Sequence, residues 1–247
     1  MGEWFEDESF WEAFGSAMFS EERVNAARAE VDSLLTLMHL PPGAHILDLP
    51  CGVGRHALEF ARRGFQVTAV DRTTGYLDAA KHQAAQEGLS IDFVRSDMRA
   101  FERPNFFDGA INLFTSLGYF EDDSDDLMVA RNFASSLKSG ARLIVDMNGK
   151  ELLTRKFSER DWHRQPDGSL MLEERKVLGA WERIENRWIL IRGADRIEKM
   201  FTVRLYSGTE LATLLRRAGF GEVSIYGTLN ATPYDQNAER LVAVVKK

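Results

Sequence analysis

Ile46-Leu47-Asp48-Leu49-Pro50-Cys51-Gly52-Val53-Gly54-Arg55-His56, followed by Val67-Thr68-Ala69-Val70-Asp71, reads as an apolar strand, a glycine turn opening a helix, and a second apolar strand ending in an acid. An open α/β sheet begins this way when it receives a ligand outside the carboxyl ends of its strands. Working outward, strands are expected near 45–49, 66–70, 91–95, 107–113 and 141–147, and helices near 54–63, 74–87 and 124–138. That alternation predicts a parallel sheet covered on both faces. Gly64-Phe65, Gly88-Leu89-Ser90 and Ser139-Gly140 fall where helix C-termini favour glycine.

The rhythm breaks over 151–206. Ser169 to Gly179, Ala180 to Arg192 and Asp195 to Tyr206 alternate between turn-like segments, which predicts an antiparallel sheet inserted into the α/β domain. Ser207-Gly208-Thr209-Glu210 then starts a helix that stops at Gly219, and two last strands lie near 221–228 and 239–245. At the other end, Trp4, Phe5, Phe10, Trp11, Phe14 and Phe19 make residues 4–19 aromatic, with helical spacing that suits packing or a lid over substrate. Ser20 caps a helix running to about residue 39, and Pro41-Pro42-Gly43 ends it. The expected architecture is α/β: a Rossmann-like three-layer sandwich with a seven-stranded, mostly parallel sheet and an inserted antiparallel β subdomain. Its divisions are a helical cap at 1–40, a ligand-binding domain at 41–150 and 207–247, and a substrate-side insertion at 151–206.

The 247 residues can bury a sizeable core, and the 44% apolar and 28% charged content is that of a globular domain. A net charge of −7 disfavours nucleic acid, whose affinity for proteins rests on cations. Glu21 to Arg28 and Arg160 to Arg164 read as solvated mixed faces. One cysteine, Cys51, excludes an intrachain disulfide and a Cys-rich zinc site; it is either a small loop filler or a reactive thiol. The N-terminus lacks a signal-peptide pattern and no run approaches a membrane span, so a cytoplasmic protein without membrane contact is expected.

Asp48 decides the ligand chemistry. An acid just ahead of the glycines opposes a pyrophosphate and suits a ligand carrying an ammonium and a sulfonium, as S-adenosylmethionine does. Gly52 and Gly54 allow close backbone approach, and the motif is not a complete G-x-G-x-x-G. Asp71 is placed to accept from both ribose hydroxyls, or else to face a helix N-terminus. Asp97-Met98, after the third strand, is placed for the adenine amino group and ring, or else is a surface turn. Asn112, Ser116 and Tyr119 lie at the end of the fourth strand, where a transferring group and acceptor would sit. No base is certain: Tyr119, Glu121, His163, Arg204 and Tyr206 are candidates, while His56 reads as structural. His39, His45 and His82 lack metal-ligand spacing, so no metal is expected.

These elements resemble the class I S-adenosylmethionine-dependent methyltransferases. Asp48 to Gly54 resembles that family's first motif, Asp71 its ribose-binding acid and Asp97-Met98 its adenine-binding segment. Phe107-Asp108 through Phe120 resembles the strand leading to its catalytic centre, and Leu137 to Leu143 the turn into its fifth strand. Glu210-Leu211 with Ala218-Gly219-Phe220 resembles the helix and turn before its final strand pair. The matches span 43–147 and 206–245, with Pro50 where the family has the first glycine of acid-x-G-x-G-x-G. The insertion is similar to that of a small-molecule subgroup including sugar-amine and glycine N-methyltransferases.

The resemblance implies S-adenosylmethionine bound by Asp48, Cys51, Gly52, Gly54, Asp71, Arg72, Asp97, Met98 and Leu113, with S-adenosylhomocysteine as product. It also implies Tyr119 and Asn112 at the catalytic centre and an N or O nucleophile on a small-molecule acceptor. A monomer or homodimer is expected, with Trp181, Trp188 and Ile189 either core or a dimer face. Two other readings stand beside this one: a non-catalytic S-adenosylmethionine-binding protein, and a nicotinamide-dependent oxidoreductase, which Asp48 opposes.

Overall fold

The computed structural model describes residues 3–247. A short 3-10 turn, Trp4–Glu6, leads into α1 (Glu8–Met18) and α2 (Glu21–Met38). The order is then β1 (His45–Asp48), α3 (Arg55–Arg62), β2 (Gln66–Asp71), α4 (Thr74–Gln86), β3 (Asp92–Arg95), β4 (Phe107–Asn112), α5 (Asp123–Ser136) and β5 (Leu137–Met147). After α6 (Lys150–Lys156) come β6 (Arg160–Arg164), β7 (Leu170–Leu178), β8 (Arg183–Arg192) and β9 (Asp195–Arg204). The chain ends with α7 (Gly208–Arg217), β10 (Glu222–Tyr226) and β11 (Leu241–Lys246).

A large sheet and the helices α2, α3, α4, α5 and α7 packed on it build the expected layers. Seven strands form one sheet in the order β10-β11-β5-β4-β1-β2-β3, and β11 is antiparallel to both β5 and β10. β1 lies between β2 and β4, with Asp48 opposite Ala69 on one side and Ile111 on the other. Because helices cover both faces, Ile46, Leu47, Ala69, Val70, Ala110 and Ile111 are all buried, and the central strands read as continuous apolar runs rather than alternating ones. The strand order reverses beside β1, and such a switch point leaves a crevice at the carboxyl ends. Ser207 and Glu210 form a reciprocal cap that starts α7 on the helix side of β10 and β11.

The second sheet, β6-β7-β8-β9, is wholly antiparallel. Three strands were expected there, and a fourth, β6, joins as a fully exposed edge. Its residues Arg-Asp-Trp-His-Arg carry no apolar alternation because none of them is buried, so periodicity had nothing to detect. The seven-residue α6 escaped for a similar reason, burying only Leu152. Ser139-Gly140 is not a helix end. α5 stops at Ser136 and β5 begins at once, with the Gly140 N–H donating to the Lys247 carbonyl.

The N-terminal segment bridges the two sheets. Lys199 of β9 donates to Asp7 and Ser9 at the start of α1. From the large sheet, Arg72 donates to the Phe5 carbonyl, and the Tyr76 hydroxyl to the Trp11 carbonyl. Among the described residues, no helix is long and apolar enough to cross a membrane.

Candidate active site

One cavity of about 630 Å³ opens where the carboxyl ends of β1, β2 and β4 meet the N-terminal segment and the inner face of the small sheet. Its size falls within the range of ~300–1,000 Å³ typical of small-molecule sites.

The floor is the glycine turn. Gly52 and Gly54 take φ of +55° and +76°, left-handed values that strain any side chain. A Cβ on Gly54 would lie 2.8 Å from that of Ala80, and one on Gly52 would lie 2.7 Å from the Phe19 ring. The turn is held from β2. One Asp71 oxygen accepts from the Gly52 N–H at 2.8 Å and the other from the Thr73 N–H at 2.8 Å. Burial pushes the Asp71 carboxyl up, and these N–H bonds oppose the shift. Cys51 lies in the lining, and burial raises its thiol well above the ordinary range, which makes it inert at neutral pH and favours the filler role.

Asp48 departs from expectation in its charge. It is 2% exposed, its Oδ2 has no hydrogen-bond partner, and burial raises its carboxyl to about 8 against the opposing pull of Arg55. The free protein therefore holds this group protonated at neutral pH, and it is not a fixed anion. Arg55, which the sequence reading passed over, is its counterpart. It is 6% exposed, donates through Nη1 to Glu30 and the Arg23 carbonyl, and leaves Nη2 buried and unpartnered. Next to it, buried His56 lines the cavity with its Nε2 2.8 Å from the same Glu30 carboxylate; desolvation lowers the pKa of the ring.

At the far end of the floor, Arg72, Asp97, Met98 and Leu113 all line the cavity. Asp97 grips Arg99 through both oxygens, at 2.9 and 3.0 Å, and bonds to this arginine hold its carboxyl down despite partial burial. Beyond β4, Phe114 and Thr115 sit at φ +62° and +61°, consecutive left-handed residues without glycine. Strain of this kind costs about 1–3 kcal/mol per residue and persists only where the surroundings impose it. Here Asp146 accepts from the Phe114 N–H and is clamped by Arg240 with two bonds of 2.7 Å, while its carbonyl accepts from the Thr115 N–H. The Phe114 ring then lies 4.1 Å from the Arg55 guanidinium and 5.4 Å from that of Arg240.

The candidates for the chemistry separate. Tyr119 lines the cavity, and burial pushes its phenol up to about 12, so it stays protonated and acts as a donor rather than a base. Ser116 also lines it, bonded to the Leu113 carbonyl. Asn112 does not: it is 1% exposed and donates beneath the turn to the Leu49 carbonyl at 2.9 Å, which makes it a brace for that turn. Gly54 likewise lies behind the lining, against α4. Tyr206 is held by Asp126 at 2.7 Å in the core, Arg204 pairs with Asp123, and Glu121 is exposed, so none of the three faces the cavity. His163 does, from β6.

The small sheet adds Met171, Glu173 and Arg175 from β7, Ile184, Asn186 and Trp188 from β8, and Phe201 and Val203 from β9. These are alternate residues of each strand, one face of a pleated sheet. Trp188 therefore faces inward, while Trp181 packs on Phe157 at 5.4 Å. Alternation over 169–206 was legible in the sequence, but which of the two faces met the cavity was not.

A family model described as a methyltransferase domain matches residues 46–140. A putative methyltransferase of Geobacillus sp. (strain WCH70) is 24% identical over 207 residues, spanning 82% of this chain and 84% of that protein. A methyltransferase from Clostridium acetobutylicum described as S-adenosylmethionine-dependent superposes with a TM-score of 0.79 at 16% identity, covering 96% of this chain and 97% of the other. CalS10, an amino pentose methyltransferase of Micromonospora echinaspora solved with S-adenosylmethionine, superposes with a TM-score of 0.70 at 20% identity and covers 97% of both chains.

Proposed function

We propose that the protein is a class I S-adenosylmethionine-dependent methyltransferase that methylates an oxygen or nitrogen nucleophile on a small-molecule acceptor. The observation that carries this reading is the pair of buried groups left unpartnered beside the Gly52 turn, a carboxyl oxygen at Asp48 Oδ2 and a guanidinium N–H at Arg55 Nη2. An α-amino acid end, with one ammonium and one carboxylate, satisfies both. A pyrophosphate would satisfy Arg55 but bring no cation to Asp48, which would then have to stay protonated. In this reading Asp71 takes the ribose hydroxyls, Asp97 and the Met98 segment take the adenine, and the apolar Leu113 borders the sugar.

When bound, the cofactor supplies a methyl group on a positively charged sulfur, already activated for in-line displacement. The chain's own task is then alignment, which can contribute ~7–11 kcal/mol, together with exclusion of water by the N-terminal segment and the small sheet. Tyr119, protonated, orients the acceptor by donating. His56 takes the acceptor's proton. Its Nε2 is engaged by Glu30, which leaves Nδ1 for the incoming proton and a carboxylate to stabilise the imidazolium.

The test is calorimetric titration of S-adenosylhomocysteine and NAD into the protein. S-adenosylhomocysteine is expected to bind in the micromolar range and NAD not at all; NAD binding alone would favour the oxidoreductase. Asp48 adds a signature. A raised carboxyl pKa stabilises the free fold at low pH, and that contribution is lost as pH rises toward about 8. A ligand ammonium beside Asp48 favours its ionised form, so binding at pH 7 releases up to about one proton and tightens as pH approaches 8. Calorimetry in buffers of different ionisation enthalpy reads the proton directly, and Asp48→Asn should abolish the release.

A further inference from the structure

The wall opposite the glycine turn is aromatic, and its residues are unevenly buried. Trp4, Trp11, Tyr119, Trp188 and Phe201 are each half-buried and line the cavity. Phe10 and Met171 also border the cavity but are buried, and Phe14 and Leu190 behind them supply the packing. The front rings are in contact: Trp4 lies 4.9 Å from Tyr119 and 4.8 Å from Phe201, and Trp188 lies 4.9 Å from Phe201, nearly perpendicular at 88°. Among these front rings only Trp188 and Phe201 meet edge to face, which leaves π-surface for a further ring; Trp4 is tilted 60° to Tyr119 and 36° to Phe201. Two of them carry a second feature. The indole N–H groups of Trp4 and Trp188 are buried without a hydrogen-bond partner, and buried tryptophan N–H groups are normally partnered.

Charge narrows the occupant. Of the four carboxylates in the lining, Asp48, Asp71 and Asp97 belong to the glycine-turn end, and Glu173 is paired to Arg175. No unpaired carboxylate at the aromatic end is available to hold an ammonium, while Arg175, Arg240 and His163 border it. An amine would enter as a cation with no free carboxylate to pair with, since Glu173 is held by Arg175 and Asp146 by Arg240. The aromatic wall thus offers stacking, two N–H donors and no anion.

We propose that the acceptor is a planar aromatic compound bearing hydroxyl or carbonyl oxygens, seated against Trp4, Trp188 and Phe201 with those oxygens on the two indole N–H groups. The proposal rests on the methyltransferase reading for the acceptor's role, but the seat itself is a property of the wall. It also separates this chain from an amine-directed enzyme of the same fold.

The experiment is titration of catechol and of glucosamine into the full-length protein, with and without saturating S-adenosylhomocysteine, read by calorimetry and by tryptophan fluorescence. Catechol is expected to bind with a Kd below ~1 mM, to quench the fluorescence, and to bind more tightly in the homocysteine complex. Glucosamine is expected to give no signal at the same concentrations. Trp188→Leu and Phe201→Leu should each weaken catechol by about tenfold or more and leave S-adenosylhomocysteine affinity unchanged. Two variants with thermal midpoints recorded guard against one that fails to fold. Glucosamine binding as tightly as catechol, or catechol binding untouched in both folded variants, would overturn the proposal. Failure of S-adenosylhomocysteine to bind would instead remove the function reading, and the titrations without it would still judge the aromatic seat.

Discussion

Asp71→Ala is expected to weaken S-adenosylhomocysteine binding by about 100-fold or more. Hydrogen bonds to a charged group contribute ~1.5–3 kcal/mol each, and the ribose presents two hydroxyls; each 1.4 kcal/mol is about tenfold in Kd. A second loss adds to the first. The same carboxylate accepts from the Gly52 and Thr73 N–H groups, so alanine also frees the turn that must be in place before the ligand arrives. Asp71→Asn separates the two contributions. It retains one acceptor and the shape of the side chain but turns an NH₂ group toward one of those donors, and an intermediate loss is expected. Titration calorimetry on both variants, with thermal midpoints to establish folding, gives the answer. An Asp71→Ala protein that binds within threefold of the parent would remove the ribose assignment.

Gly54→Ala should cost ~2–5 kcal/mol of fold stability. Two independent terms contribute. A side chain at φ +76° costs ~1–2 kcal/mol, and the new Cβ would sit 2.8 Å from that of Ala80, an overlap relieved only by shifting α3 against α4. Such overpacking typically costs ~1–3 kcal/mol. For a chain of this size the midpoint of thermal unfolding should fall by roughly 5–15 °C. Adding Ala80→Gly removes the overlap and leaves the backbone strain, so partial recovery is expected. A drop under 2 °C in Gly54→Ala would mean that the turn does not hold the geometry described.

Much of the layered domain was readable because its signals are local. The apolar runs at 46–49 and 67–70, the glycines between them and the closing acid each follow from neighbouring residues, and the fold places them as read. The edge strand β6 and the short α6 were invisible because neither buries an apolar stripe. In the site, Asp48, Cys51, Gly52, Asp71, Asp97 and Tyr119 were reachable from position relative to a strand end. Arg55 was within reach too, as the first residue of the helix after the turn, but nothing marked its Nη2 as unpartnered. Phe114, Arg240, Glu173 and Arg175 come from three separate stretches and have no shared motif.

The amino-acid pattern by itself determined the sheet, the glycine turn and the placing of acids at the strand ends, since strand periodicity and turn chemistry act over a few residues. Tertiary structure alone decided three other things. It buried Asp48 deeply enough to hold a proton, because desolvation depends on everything packed around the carboxyl. It turned Asn112 under the turn and away from the cavity. And it brought Trp4 within 4.8 Å of Phe201, a contact across almost the whole chain that forms only when the N-terminal segment is clamped between the two sheets.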